Sequence, residues 1–402
     1  MAVPFTLPGK LSGNPELGPN PGQSPVEAIQ RYSVEPITSA EEISSLQEDW
    51  NRLSETTESP NVFMTFDWFR AWNQRYTRKD RSGRRRLNVL VLKKNGAIAG
   101  ISPLTYRKVS RFGFGVRKVE FVSPQADYND LVLGNELAGQ SRAIVDFLAE
   151  TQDQWDLVDL RDLRVTGNTP AAIENAFSHT KLLHRILPEK ERSPYLLIDA
   201  PFSEMVGRLS RSSRHTIRNQ QRRLKRLGAD GLRVRIIENP HREPGLLQKL
   251  IALERQKRFQ GELSQPFITV HPEVFQSLFD DLGPRGWFYV ALMEIGDRPM
   301  AWQLGFRCGK RLWDYSTAYD HTFSRLSPGT MLVPAVIDYG FTHGYDEFDF
   351  LRGEESYKMQ WATSFHQTHR LLIWSRRWTS WARAFVYLDL KKAVYRLLGK
   401  GE

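Results

Sequence analysis

The chain carries one short strand pattern twice. Trp155-Asp156-Leu157-Val158-Asp159-Leu160-Arg161 and Tyr345-Asp346-Glu347-Phe348-Asp349-Phe350-Leu351-Arg352 share their aromatic, acidic and apolar positions, with one extra residue before the second arginine. A match of this kind far along a chain marks an internal duplication, so the fold must be two units of one plan. The segments before each copy agree. In the first half LNVLVLK and AIAGISPLTY flank Asn95-Gly96, the strongest short hairpin signal, VRKVEFV and DYNDLVL read as further strands, and a helix over Ser141 to Glu150 leads into the first copy. In the second half GWFYVALMEI and RPMAWQLGF join through Gly296-Asp297, RLWDYSTAY follows, and a helix beyond Pro328 leads into DEFDF. The fold class expected is α/β in the α+β sense: two tandem domains, each a mixed, largely antiparallel sheet flanked by helices.

Composition supports two cores. The chain has 402 residues, 40% apolar and 25% charged, as soluble globular proteins do. Residues 1–31 are rich in Pro, Gly, Ser and Asn and read as a disordered tail. Residues 32–190 then form one domain, 191–375 a second, and 376–402 a basic amphipathic helix. Between Glu41 and Arg75, Leu46, Trp50 and Leu53, then Phe66, Phe69 and Trp72, recur at helical spacing and read as core. No charged start leads into an apolar run of leader type, and no stretch approaches the roughly 20 apolar residues that span a bilayer. The single Cys308 excludes an intrachain disulfide, and a reducing, cytoplasmic setting is expected, with attachment to the inner face of the membrane as the variant of it. A net charge of +10 favours an anionic contact: a nucleotide-bearing cofactor, RNA or an acidic membrane surface.

Three segments can carry such contacts. Ser327-Pro328-Gly329-Thr330 opens a helix just beyond a strand, where unpaired backbone N–H groups and the positive end of the helix dipole suit a phosphate. SEMVGRLSRSSRHTIRNQQRRLKRLG reads as one helix over 203–227, capped by Ser203 and stopped by Gly228. Its Arg211, Arg214, Arg218, Arg222 and Lys225 form a cationic stripe, either a solvated face or a cradle for an acidic substrate, a CoA phosphate or RNA. After Ile373, Trp378, Trp381, Phe385 and Leu388 share a helical face among Arg376, Arg377, Lys391, Lys392, Arg396 and Lys400, a pattern that packs on its own domain or lies in a membrane interface.

With SRSSRHTIRNQQRRLKRLG, GDRPMAWQLGF, AYDHTFSRLSPGTML and FDFLRGEESYKMQW in view, and more weakly NVFMTFDWFRAWNQRY, the chain resembles the BioF2-like, or CelD/BcsL-type, acetyltransferases of the GNAT superfamily over roughly Ser33 to Ser375. The resemblance implies tandem GNAT-like domains, an architecture shared with Fem-type aminoacyl transferases. It also implies acetyl-CoA or another acyl-CoA as donor co-substrate, no metal, and a small-molecule or glycan-precursor acceptor in polysaccharide or cell-envelope synthesis. The chain departs from the ordinary GNAT phosphate loop, Gln/Arg-x-x-Gly-x-Gly/Ala, by having Ser-Pro-Gly-Thr at that junction.

Acyl transfer from a thioester needs a polarised carbonyl, a deprotonated nucleophile and a proton for the leaving thiolate. Backbone N–H groups of Tyr315, Ser316, Thr317 and Ala318 are the candidates for the first if their strand splays. Ser327, Gly329, Thr330, Arg352 and Lys358 are the further cofactor-binding candidates. The resemblance makes Tyr357 the proton donor, packing with Lys358 and Trp361 being its alternative role. Asp314, Asp349 and Glu254 are the candidate bases, with Asp314 preferred because Asp349 has a counterpart in Asp159. Asp127, Tyr128 and Asp130 are candidates for the acceptor side, with Arg214 and Arg218 as further substrate contacts. Walker, nucleophile-elbow and dinucleotide motifs are missing. FHQTHRLLIW reads as one strand that puts His366 and His369 on opposite faces, which argues against a metal site. Two other readings stay open: a Fem-like transferase drawing on charged tRNA, and a non-catalytic RNA- or membrane-binding protein on a transferase scaffold.

Overall fold

The computed structural model describes residues 32–57, 60–79, 83–111, 113–123, 125–164, 169–229, 231–258 and 266–388. The expected tail over 1–31 and the last part of the expected C-terminal helix, 389–402, lie outside them. Fourteen strands form two sheets. They are β1 (Tyr32–Ile37), β2 (Arg85–Lys94), β3 (Ala97–Arg111), β4 (Phe114–Phe121), β5 (Leu157–Arg164), β6 (Leu183–Pro188), β7 (Ser193–Leu197), β8 (Leu232–Ile237), β9 (Phe288–Ile295), β10 (Arg298–Cys308), β11 (Arg311–Tyr319), β12 (Glu347–Asp349), β13 (Ser364–His366) and β14 (Thr368–Trp374). Helices α1 (Ala40–Ser45), α2 (Gln47–Thr56) and α3 (Phe66–Lys79) precede the first hairpin, and α4 (Leu137–Glu150) and α5 (Thr169–Phe177) lie on either side of β5 in sequence. There follow α6 (Phe202–Arg208), α7 (Arg211–Ala229), α8 (Leu246–Arg258), α9 (Phe267–Val270), α10 (Pro272–Leu282), α11 (Pro328–Thr342), α12 (Ser356–Met359) and α13 (Trp378–Leu388). No helix among the described residues is long and apolar enough to cross a membrane.

The first sheet runs β1-β2-β3-β4-β5-β14-β6 and the second, read from its far edge, β8-β9-β10-β11-β12-β7-β13. Strand directions agree step for step: β4–β5 and β11–β12 are parallel, and every other neighbouring pair is antiparallel. The two copies of the repeated pattern, β5 and β12, thus hold equivalent places. The fold is two tandem GNAT-like units, each a mixed, largely antiparallel sheet flanked by helices. The sheets are not filled in chain order, because β14 follows the second sheet in sequence yet sits between β5 and β6.

Local chemistry accounts for the hairpins. Asn95 and Gly96 take φ of 53° and 82°, the left-handed pair that a two-residue turn between twisted strands requires. The sheets' apolar faces feed separate cores, and a third core joins the halves: Phe63 and Trp68 from the first pack with Phe306 and Trp313 from the second, Phe63 stacking on Trp313 at 5.3 Å. Burial of these aromatics removes a large apolar area from water and holds the two sheets in one body.

Three expectations are corrected. DYNDLVL is not a strand: it makes only the isolated bridges Asn129–Leu163 and Leu133–Ile101, because the Tyr128 hydroxyl and the Asp127 carboxylate are drawn to partners on the second half. FHQTHRLLIW is two strands on different sheets, divided at Gln367, whose amide donates to the Glu189 and Thr368 carbonyls; apolar spacing carries no information about which sheet a strand joins. The basic helix over 203–227 is α6 and α7 with a break at Leu209-Ser210. Ser210 Oγ accepts from the Ser213 N–H as the cap of α7, and Arg214 donates to the Gly207 and Leu209 carbonyls at the end of α6.

Candidate functional site

The site is built where β11 outruns its neighbour β12. β12 pairs with it only over Arg311–Trp313, and beyond Asp349 the chain turns away through Leu351 at φ 56°. On the other side the register breaks: Leu304 faces Ser316 and Gly305 faces Asp314, so Tyr315 is an extra, bulged residue. A bulge leaves its residue outside the ladder and sharpens the local twist. Gly305 makes this possible, since a Cβ there would lie 2.2 Å from the Trp313 carbonyl oxygen and 2.4 Å from the Tyr289 ring. The strand over Tyr315–Ala318 is therefore splayed from β12.

The other wall is the start of α11. Ser327 adopts the left-handed conformation, φ 54° and ψ 54°, before Pro328 at the first helical turn. Gly329 packs against the Thr317 methyl, where a Cβ would sit at 3.1 Å. Thr330 Oγ1 donates to the Ser327 carbonyl at 3.0 Å and accepts from the buried Gln220 of α7 at 2.8 Å. The basic helix is thus fastened to this helix start.

A cavity of about 900 Å³ opens between these walls. It is lined by Asp314, Tyr315, Ser316, Thr317, Tyr319, Ser324, Ser327, Gly329, Thr330 and Val333, by Arg352, Glu355, Tyr357 and Lys358, by Gln125 and Asp127 from the other half, by Glu191 between β6 and β7, and by Pro266, Phe267 and His271. The structure brings together all eight cofactor-binding candidates with Tyr357, Asp314 and Asp127. Tyr128, Asp130, Asp349, Arg214 and Arg218 do not line it. Arg214 and Arg218 instead border a separate hollow along α7 with Arg211, His215, Asn219 and Arg222.

Within the cavity the Tyr357 hydroxyl lies 3.4 Å from Asp314 Oδ2. Burial, then the neighbouring Asp314 carboxylate, holds the Tyr357 phenol well above its usual value, so it keeps its proton at neutral pH. Burial raises Asp127, against the pull of Arg352, and pushes Asp162 up to about 6. Arg352 contacts Asp162 at 2.8 Å and Asp127 at 3.2 Å, both from the first half, with Glu191 of the link between the sheets at 3.9 Å, so its charge is spent on carboxylates. Lys358 donates to the Arg352 carbonyl at 2.8 Å and pairs with Glu355 at 2.9 Å.

The remaining candidates serve the framework. Asp349 is fully buried, accepts from the Tyr128 hydroxyl at 2.7 Å and the Leu351 N–H at 2.8 Å, and is pushed up to about 6 by burial. Its counterpart Asp159 is held down to about 2, because Arg370 and Lys118 outweigh its burial. Asp130 is pushed up to about 7 by burial. Glu254 accepts from the Phe267, Ile268 and Thr269 amides and so caps α9. Ligand atoms of Glu347, Asp349 and His366 lie within 4.8 Å of one another, yet Glu347 already meets His366 at 3.0 Å and Arg311 at 3.2 Å, which makes the group an ion-pair network. The sequence reading missed Gln125, Glu191, Phe267, His271, Tyr319 and Glu355; only proximity in the fold marks them, apart from Glu355, which lies in the polar turn already singled out.

The comparisons agree with the fold and place the family match over the half that carries this cleft. Residues 211–359 match the acetyltransferase (GNAT) domain family. Among solved structures the chain is similar to FemX, with a TM-score of 0.55 at 11% identity over 90% of this chain and 99% of that one. It is also similar to a conserved protein of unknown function from Bacteroides thetaiotaomicron VPI-5482, with a TM-score of 0.51 at 10% identity over 82% and 97%. No match was found among curated proteins. At such identities the likeness is one of fold, and the family match itself spans residues 211–359.

Proposed function

We propose that the chain is an acyltransferase that moves an acetyl or other acyl group from acyl-CoA, held between β11 and the start of α11, to an amine or hydroxyl acceptor. The observation that carries this is the opening of β11 at the Tyr315 bulge with the Asp314–Tyr357 pair at its mouth. The residues suit such a donor: the glycine at 329 lets the helix start close on the strand, and Gly329 and Thr330 line the cavity in the first turn of α11, where helix amides have no intrahelical partners. A thioester bound there would supply the acyl group and a thiolate leaving group.

The protein's own groups then divide the work. Amides along Tyr315–Ala318 stabilise charge on the acyl oxygen. Asp314 takes the proton of the attacking amine or hydroxyl, the new bond forms at the acyl carbon as the bond to sulfur breaks, and Tyr357 gives its proton to the departing sulfur. The proton on Asp314 restores Tyr357 across their 3.4 Å contact, so the site closes its own proton balance.

A second reading, Fem-like transfer from an aminoacyl-tRNA, is favoured by the breadth of the match to FemX and by the cationic hollow along α7, a helix fastened to the start of α11 through Gln220. The comparisons lean toward it. Calorimetry with acyl-CoA and with charged tRNA at low salt separates the two. The first reading expects saturable acyl-CoA binding, and Tyr357→Phe lowering turnover by roughly 10²-fold or more with binding intact. Tight, strongly salt-dependent tRNA binding without acyl-CoA binding would replace it with the second.

A further inference from the structure

Helix α13 meets the first sheet along one face only. Ser380 and Ala384 are buried against it, Arg383 donates to Asp156 at 3.0 Å, and the Tyr387 hydroxyl accepts from Lys118 at 3.1 Å. At the complementary helical spacing Trp378, Trp381 and Phe385 point away from the sheet and are 79%, 55% and 39% exposed. Of eleven tryptophans, all among the described residues, Trp378 and Trp381 are the only exposed ones. Trp381 and Phe385 stack, with ring centres 5.8 Å apart, so the patch is already ordered as a flat aromatic surface.

Its surroundings are cationic. Arg376 and Arg377 are exposed at the start of the helix, and the sequence beyond the described residues adds Lys391, Lys392, Arg396 and Lys400 against Asp389 and Glu402. We propose that this face of α13 docks on an anionic lipid surface, with Trp378, Trp381 and Phe385 entering the headgroup boundary and Arg376 and Arg377 meeting lipid phosphates. Tryptophan combines apolar area with a donor N–H and favours that boundary. The cationic rim matches a negative leaflet and repels a second copy of itself. The contacts from Arg383 and Tyr387 hold the helix flat on the sheet, so the aromatic face is presented along its length rather than end-on.

The test is flotation of the full chain with vesicles of phosphatidylcholine alone and of phosphatidylcholine mixed with phosphatidylglycerol. On the anionic vesicles the expected partitioning is about tenfold or more above the neutral ones, reversed by salt, with tryptophan emission moving to shorter wavelength. Trp378→Ala/Trp381→Ala/Phe385→Ala is expected to remove it by about tenfold or more with an unchanged circular-dichroism melt, since all three are exposed. Arg376→Gln/Arg377→Gln is expected to weaken binding to the anionic vesicles alone. Equal partitioning on both vesicle types, or a triple variant that floats as well as the parent, overturns the proposal. Sedimentation as a dimer that the triple variant dissolves would assign the face to a second copy, and also overturns it.

Discussion

Replacing Arg352 by methionine tests the joint between the two halves. Arg352 reaches from the second half to Asp162 and Asp127, whose side chains are 8% and 15% exposed, while its own is 32% exposed. Even with the arginine present, burial pushes Asp162 up to about 6, roughly two units above an ordinary carboxyl and worth about 3 kcal/mol against the charged form at neutral pH. Removing one partner of a buried pair costs about 3–5 kcal/mol, and the partial exposure of Arg352 brings the expected loss to the lower end, about 3 kcal/mol. With an unfolding entropy of about 2.1 cal/mol/K per residue over 402 residues, Tm falls by roughly 4 °C. The loss depends on pH in a defined sense. A carboxyl raised in the folded state contributes stability that is present below its unfolded pKa and disappears as pH climbs through the folded value. The variant moves that folded value higher still, so its deficit is largest at neutral pH and shrinks as Asp162 takes up its proton toward about pH 5. Urea unfolding followed by circular dichroism at both pH values measures this, and Arg352→Met/Asp162→Asn should recover part of the loss. A variant within about 0.5 kcal/mol of the parent at neutral pH, or one whose deficit is unchanged on acidification, would refute the reasoning.

Gly305→Ala should lower stability by about 3 kcal/mol or more in a thermal melt, because backbone lies 2.2 Å from the new methyl; Gly329→Ala, facing the Thr317 methyl at 3.1 Å and the Tyr319 ring at 3.7 Å, should cost far less. Tyr128→Phe deletes the donor to buried Asp349 and should cost about 1–3 kcal/mol in urea unfolding, with the loss greatest at neutral pH where Asp349 is charged. Arg214→Ala should reduce stability by about 1 kcal/mol through the unpaired carbonyls at the end of α6, read in urea unfolding. Arg218→Ala, exposed and without an ion pair among the described residues, should leave the melt unchanged while lowering the salt slope of oligonucleotide binding by about one if α7 grips a polyanion.

Much of the framework was legible because its signals are local. The Asn95-Gly96 turn, the alternating strands and the duplicated WDLVDLR and YDEFDFLR patterns depend on neighbours a few residues away. So did the cavity wall from Ser327 to Thr330 and the turn from Arg352 to Lys358. What failed needed distant partners. The stretch around Tyr128 has the composition of a strand, but Asp349 and Arg352 hold its side chains in an irregular path. The stripe of α7 was visible, yet the break before it rests on Ser210 and Arg214 satisfying backbone groups that the charge pattern does not reveal.

By itself, then, the sequence determined that the chain has two sheets of one plan, and which copy carries the polar turn and helix start, since period and turn chemistry are written in adjacent residues. Only the tertiary structure decided that β14 returns to the first sheet, that a bulge at Tyr315 opposite Gly305 splays β11, and that Asp314 and Tyr357 meet there. Those outcomes depend on which backbone edges and buried charges find one another across the fold, and pairing between distant residues leaves no mark on the local pattern of either.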